Sequence, residues 1–295
     1  MIMLEYDSVA ALVREAEERG CAISEVVLAD QAASLGLAPE KVLEEMGRNL
    51  AVMRKSVEAG SVETLKSRSG LSGGDGFRMA RYAALGKAGP LSGDFCGRAM
   101  ARAIAIAECN ASMGRIVAAP TAGSCGILPA AILTMEELCG AGERDLVMSL
   151  FTAGAIGLVI VREASIAGAE GGCQAECGSA AAMAAAALVE LRGGTPAQAG
   201  DACAIAIKNQ LGLVCDPVAG LVEVPCVKRN AGGVMCAIAA ADMALAGMRS
   251  VIPVDEVISA MREVGDALPA SLRETAQGGL AVTPTGLALK QRIFG

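Results

Sequence analysis

An all-α fold, a single mainly helical domain with Gly- and Pro-rich loops converging on one site, is predicted by three observations. The 295 residues are 53% hydrophobic but only 2% aromatic and contain no Trp, so the interior has to be built from Ala, Leu, Val, Ile and Met. No run of period-2 alternation bounded by turns reads convincingly as a strand. Helix start and stop signals recur instead along the chain, and its small side chains let helices approach closely.

Taken in order, Pro39 followed by EKVLEEM opens a helix expected to run to about residue 58 and stop before Gly60, with Pro in the first turn and Gly past the end. Residues 98–111, 145–161 and 174–191 carry apolar side chains almost all the way round, which marks them as buried helices. Thr195 and Pro196 open another helix, and Pro253 with Asp255 a further one, leaving the polar-faced helices mostly at the two ends. The short apolar pieces VIVREAS at 159–165 and LGLVCDPV at 211–218 read better as a helix end and a connector than as strands. No repeat of roughly 20 to 50 residues and no Pro-rich linker divides the chain. One domain over 1–295 follows, within which the loop at 67–76 could set off a small N-terminal helical subdomain, 1–66.

A net charge of −7 without a basic stripe argues against nucleic acid as a partner. The strongest apolar run, 146–161, falls short of the roughly 20 residues that span a bilayer. The uncharged stretch 116–135 is interrupted by Pro120, Pro129 and the polar TAGSCG. The first 20 residues are acidic and lack a signal-peptide core, so a soluble cytoplasmic protein without a membrane partner is expected. In that compartment the 11 cysteines stay reduced. Cys21, Cys96, Cys109, Cys139, Cys203 and Cys236 read as small buried hydrophobes. Cys125 and Cys177 lie within or beside more informative segments.

Four irregular segments interrupt the helices: SRSGLSGGDG at 67–76, APTAGSCG at 119–126, SIAGAEGGCQ at 165–174 and LGLVCDPVAGLVEVPC at 211–226. Where such loops lead into helices, free backbone N–H groups and the positive end of the dipole favour anions. Cys173, Cys215 and Cys226 all sit in these breaks. Iron-sulfur clusters normally take four Cys, so a centre held by three keeps one iron open for substrate. The spacing is no compact CxxC signature, and plain connecting loops remain the commoner meaning of such segments.

At these segments the chain resembles the alpha chain of the iron-sulfur-dependent L-serine dehydratases. The resemblance rests on SGLSGGD at 69–75, NASMG at 110–114, APTAGSCGILPA at 119–130, GGCQAECGSAAAMAAAALVE at 171–190, GLVCDPVAGLVEVPCVKRNA at 212–231 and RETAQGGLAVTPTG at 273–286. It implies an oxygen-sensitive 4Fe-4S cluster bound by Cys173, Cys215 and Cys226. The family pattern commonly has Val where Cys177 stands, which leaves Cys177 an accessory thiol or core residue. The implied reaction removes water from L-serine, with a Lewis acid at the hydroxyl and a base at the Cα–H. The resulting aminoacrylate becomes an imine and hydrolyses to pyruvate and ammonia.

Substrate positioning falls, on this resemblance, to Thr121, Gly123, Ser124 and Gly126, with Asn110 and the Ser72, Gly73 and Gly74 loop contributing. Ser124 reads equally well as the N-cap of a helix starting near Ile127. Lys228 and Asn230 follow the third cysteine and could face cluster or substrate, although Lys228 reads as readily as a solvated charge. The chain has no His, the usual proton shuttle near neutral pH. Single-chain members carry an N-terminal beta domain with a His, so this chain resembles the two-chain form, active as a heteromer with a separate beta chain. Two alternatives stay open: an L-cysteine desulfidase-like iron-sulfur lyase, and a non-catalytic helical subunit. A pyridoxal-phosphate dehydratase would need an alternating strand and helix pattern that is missing.

Overall fold

The computed structural model describes residues 6–295. Thirteen α-helices form among them: α1 Val9–Arg19, α2 Ile23–Leu35, α3 Pro39–Gly60, α4 Asp75–Ala83, α5 Gly93–Ala111, α6 Ile127–Cys139, α7 Glu143–Glu163, α8 Gly168–Gly171, α9 Ser179–Leu191, α10 Pro196–Lys208, α11 Cys226–Leu245, α12 Val254–Ala267 and α13 Pro284–Phe294. No β-strand forms among the described residues, and an isolated parallel bridge joins Cys215 to Arg273. The all-α expectation holds.

Alanine places α9 at the centre. Residues 179–189 of SAAAMAAAALVEL are all buried, and α6, α7, α10 and α11 pack around them. Methyl-sized side chains on every face let four neighbours approach one rod, a geometry that a Leu-rich helix would block. α7 packs against α2, α3 and α9, and α1–α3 contribute to the same apolar core. α7 is longer than the 146–161 run suggested: Glu143 and Asp145 enter its first turn and Arg162 its last. It is long and apolar enough to cross a membrane by length and composition, yet 67% of its apolar window is buried within the protein.

Caps set several boundaries. Thr195 and Gln198 form a reciprocal capping box at α10. At α1 the Ser8 hydroxyl accepts from Ala11 N–H, while the Asp255 carboxylate accepts from Val9 and Ala10 N–H at 2.8 and 3.0 Å, tying α1 to the start of α12. α3 runs through Gly60, past the expected stop, because that glycine lets the helix end touch α5: a Cβ there would lie 1.8 Å from the Ala105 carbonyl oxygen. Gly76 at the start of α4 meets the same residue, its Cβ position falling 2.7 Å from Ala105 Cα. Gly76→Ala is therefore expected to lower stability by about 1–3 kcal/mol, measurable by denaturant titration, because helix backbone has to shift to admit one methyl group.

The cysteines divide in a way that composition does not reveal. Cys109, Cys125 and Cys203 are buried, Cys21, Cys96 and Cys236 are half-buried, and Cys139 is exposed, contrary to its reading as a core hydrophobe. Cys139 is the last residue of α6, directly before the turn at Gly140, where the helix emerges from the core.

Candidate functional site

The four irregular segments meet because each leads into a helix start, and the loops before α4, α6, α9 and α11 are cross-linked by side chains. Cys173 precedes a single π-helical turn, Gln174–Gly178, that feeds α9. Gln174, fully buried, holds this turn in place: its backbone N–H donates to Leu213 O at 2.9 Å, its Nε2 to Met261 O at 2.8 Å, and its Oε1 accepts from Gly212 N–H at 2.9 Å. That pairing lays the 211–216 segment against the Cys173 turn. Cys215 is then fixed by its bridge, its N–H donating to Leu272 O and its carbonyl accepting from Glu274 N–H, both at 2.8 Å. Cys226 is the first residue of α11, where the helix dipole favours a thiolate.

All three thiols are buried, at 3%, 3% and 9% exposure. Burial, followed by the Cys173 and Glu176 charges, pushes the Cys226 thiol up to about 12. Burial, Glu176 and then Cys173 push Cys215 up as well. Cys173 moves the other way: a hydrogen bond from Cys177 and the positive charge of Arg229 outweigh its burial. Arg229 lies in the half-buried layer beside these thiols, its Nη1 donating to Val214 O at 2.7 Å and its Nη2 to Asp216 at 2.8 Å. Asp216 also accepts from Leu280 N–H at 2.7 Å, which anchors the chain after Cys215. Cys215 and Cys226 are thus held as neutral thiols and Cys173 is the one drawn towards its thiolate beside Arg229, so three sulfurs are kept in one buried layer with little charge repulsion between them.

The 119–126 loop approaches the thiols through Glu176, a residue the sequence reading passed over. Thr121 Oγ1 donates to Glu176 Oε1 at 2.8 Å, and Glu176 Oε2 lies 3.8 Å from Cys215 Sγ. Burial raises the Glu176 carboxyl, opposed by the hydrogen bond from Thr121. Ser124, fully buried, lies 3.1 Å from the Thr121 hydroxyl and does not cap α6, whose N-cap is Gly126. Gly126 has to be glycine, since a Cβ there would fall 2.3 Å from Ala103 O. Asn230 locks the loop to α11: its Oδ1 accepts from Gly126 N–H at 2.8 Å, and its Nδ2 donates to Gly123 O at 2.8 Å and Cys226 O at 2.9 Å. Asn110 joins from α5 by donating to Ala122 O at 3.2 Å.

The 67–76 loop meets the segment leading into α11. Ser69 and Ser72 both donate to Glu223 Oε2, at 2.9 and 3.1 Å. Gly73, at φ 138°, presses against the chain so that a Cβ would lie 2.1 Å from Leu65 O. Gly74, at φ 76°, is the N-cap of α4, whose Asp75 and Gly76 N–H groups donate to buried Glu108 at 3.1 and 3.0 Å. Lys228 projects to the surface at 63% exposure, with Nζ 2.6 Å from Asp75 Oδ2. Burial opposes ionisation of Asp75, but Lys228 and Arg78 outweigh it and hold the carboxyl below its usual range.

Every site residue picked from the sequence thus falls in one of two linked groups. Thr121, Gly123, Ser124, Gly126, Asn110 and Asn230 stand with the three cysteines, while Ser72, Gly73, Gly74 and Lys228 form a second group joined to α11 through Glu223 and Asp75. Among the described residues no three His, Cys, Asp or Glu side chains close around a single metal ion. Ser179 Oγ, at the start of α9, is the one buried side-chain polar atom without a partner among the described residues. A cavity of about 420 Å³ lies beside Gly171 and Ala175, but none of the three cysteines lines it.

Fold and site define a helical protein in which Gly- and Pro-rich loops bring buried cysteine thiols up to a hydroxyl-bearing loop. Residues 18–281 match the serine dehydratase alpha chain family, and the chain belongs to it. It is 50% identical over 290 residues to the probable L-serine dehydratase alpha chain of Bacillus subtilis (strain 168), covering 98% of this chain and 96% of that one. It is 46% identical over 274 residues to the L-serine dehydratase alpha chain of Peptoniphilus asaccharolyticus, with 93% of each covered. Against the L-serine dehydratase of Streptomyces coelicolor it is 40% identical over 279 residues, 92% of this chain but 59% of that longer protein.

Proposed function

We propose that this chain is the cluster-bearing alpha chain of an L-serine ammonia-lyase, converting L-serine to pyruvate and ammonia in the cytoplasm together with a separate beta chain in a heteromeric assembly. Family membership supports the reaction, and one observation carries the site: a polar path from Thr121 through Glu176 to Cys215, with steps of 2.8 and 3.8 Å, linking the hydroxyl-bearing loop to the buried thiols. Three buried thiols are soft donors of the kind that an iron-sulfur cluster takes. Cys173, Cys215 and Cys226 are the residues that would hold a 4Fe-4S cluster, and the chemistry it supplies when bound is Lewis-acid polarisation of the departing hydroxyl.

The chain's own residues prepare the substrate. Thr121 and Ser124, with the backbone of Gly123, present hydroxyl and amide groups to the serine carboxylate at the start of α6, where the helix dipole favours an anion, while Gly126, its N–H held by Asn230, lets the loop approach α5 closely. Asn230 holds that loop rigid, and Asn110 supports it from α5. Ser72, Gly73 and Gly74 border the same region, with Lys228 at its rim. Burial of the thiols excludes water from the reacting centre. The chain contains no His, so proton removal from Cα falls to a carboxylate, a lysine or a group of the beta chain.

Anaerobic reconstitution with iron and sulfide, with and without the beta chain, followed by assays of pyruvate from L-serine and of sulfide from L-cysteine, tests this reading. Pyruvate in the presence of the beta chain is expected; sulfide alone would move the chain to the desulfidase alternative. Glu176 serves here as a positioning residue for Thr121. Glu176→Ala is expected to raise KM for serine and lower kcat, together about a hundredfold in kcat/KM, with Glu176→Gln recovering most of the loss because its amide oxygen still accepts from Thr121. Equal losses in both variants would assign Glu176 a different role.

A further inference from the structure

Cys177 has no part in the proposed ligand set, yet its sulfur lies 3.4 Å from that of Cys173, with the two residues 1% and 3% exposed. In a regular α-helix, residues four apart hold their Cβ atoms about 5–6 Å from each other. Cys173 caps the π-helical turn Gln174–Gly178 and Cys177 lies within it, and there their sulfurs come into contact. Closing from 3.4 Å to a disulfide of about 2.05 Å needs a local adjustment inside one turn, with no movement of one helix past another. The turn is also the least regular stretch of the rod that ends in α9, which makes it the place where such an adjustment is easiest.

We infer that Cys173 and Cys177 form a reversible redox pair, closing to an intrahelical disulfide in the cluster-free chain when a hydroperoxide is present. The pairing goes beyond the proposed function and does not depend on it. The Cys173 thiolate attacks one peroxide oxygen, the O–O bond breaks, and Cys173 becomes a sulfenic acid while the other oxygen leaves as hydroxide and is protonated by solvent. The Cys177 sulfur then attacks the sulfenic sulfur, the S–O bond breaks, and the Cys177 proton leaves with the hydroxyl as a second water. Two thiols have lost two electrons, and one hydrogen peroxide has become two waters. The consequence is protective: a disulfide at this turn stops Cys173 from climbing to the irreversible sulfinic acid, and a reductant returns the thiol for cluster assembly.

The test uses the full chain, freed of iron by anaerobic chelation and treated with a molar excess of hydrogen peroxide, since carrying one thiol to the sulfinic acid consumes two peroxides. Tryptic cleavage after Arg162 and Arg192 releases residues 163–192, in which Cys173 and Cys177 are the only cysteines. That peptide is expected to pass from two alkylatable thiols to none, with a loss of two hydrogens in mass, and to regain both thiols after dithiothreitol. In Cys177→Ala, Cys173 is expected to gain two oxygens, beyond rescue by dithiothreitol, so that brown colour no longer returns on reconstitution. The inference is overturned if wild-type peptide 163–192 keeps both thiols while other cysteines oxidise, or gains oxygen on Cys173 as readily as the variant does. Reconstitution of untreated chain serves as the separate control: failure to take up iron there counts against the proposed cluster, whatever the state of the thiol pair.

Discussion

Replacing any one of Cys173, Cys215 and Cys226 by Ala is expected to abolish both the brown colour of anaerobically reconstituted protein and its serine-dependent pyruvate formation, whereas Cys177→Ala keeps most of each. Cluster binding draws on all its ligands together, because each thiol has to lose its proton and the binding energy is shared by the whole set. Burial holds Cys215 and Cys226 protonated in the cluster-free chain, so only iron coordination makes their thiolates favourable. With one of the three missing, two thiolates and a solvent ligand would have to hold the cluster in a pocket already crowded with negative charge. The fold should survive each change, since removing one buried sulfur costs about 1–2 kcal/mol, and far-UV circular dichroism of the variants is expected to match the parent. Loss of colour in Cys177→Ala with retention in one of the other three would reverse the ligand assignment.

Asn230→Ala is expected to have the second-largest effect, lowering stability by about 2–5 kcal/mol and kcat/KM by about a hundredfold. The side chain is fully buried and closes three hydrogen bonds of 2.8, 2.8 and 2.9 Å, to Gly126 N–H, Gly123 O and Cys226 O. Truncation leaves the buried Gly126 N–H and the Gly123 carbonyl without their partner, which costs more than the bonds themselves contribute. It also unfastens the 119–126 loop from the residue that starts α11. Asn230→Asp separates the two effects, since it can still accept from Gly126 but sets a carboxylate oxygen against two carbonyls. Thermal denaturation and steady-state kinetics on both variants check the prediction, and an Asn230→Ala protein with unchanged melting temperature would sink it.

Much of the helical frame was legible in residue order. Pro39, Thr195–Pro196 and Pro253 mark helix starts that the structure places at the same points, because Pro fixes φ and gives up an N–H that a first turn does not use. The π-turn at 174–178 was not legible: its sequence QAECG continues the apolar pattern of α9, and only the pull of Gln174 on Leu213, Gly212 and Met261 shows why the turn widens there. The site divides similarly. The Gly- and Pro-rich breaks pointed to the right loops, but Glu176, Glu223 and Arg229 carried no signal in a single sequence. An acidic or basic side chain is ordinarily solvated, and these three matter through partners as far as 154 positions away, as in the bond from Ser69 to Glu223. Ser124 shows the converse. Its position before α6 suited an N-cap, yet Gly126 takes that place and the Ser124 hydroxyl turns to Thr121.

The sequence by itself determined the all-helical class, the Ala-built interior and the family, because composition, capping residues and local motifs act over a few positions and need no partner. Tertiary structure decided which buried groups meet: that α9 sits among four helices, that Glu176 links Thr121 to Cys215, and that Cys177 touches Cys173. Those contacts depend on how closely rods of small residues can approach and where backbone meets backbone, as at Gly126 and Gly60, and such distances belong to the packed chain as a whole.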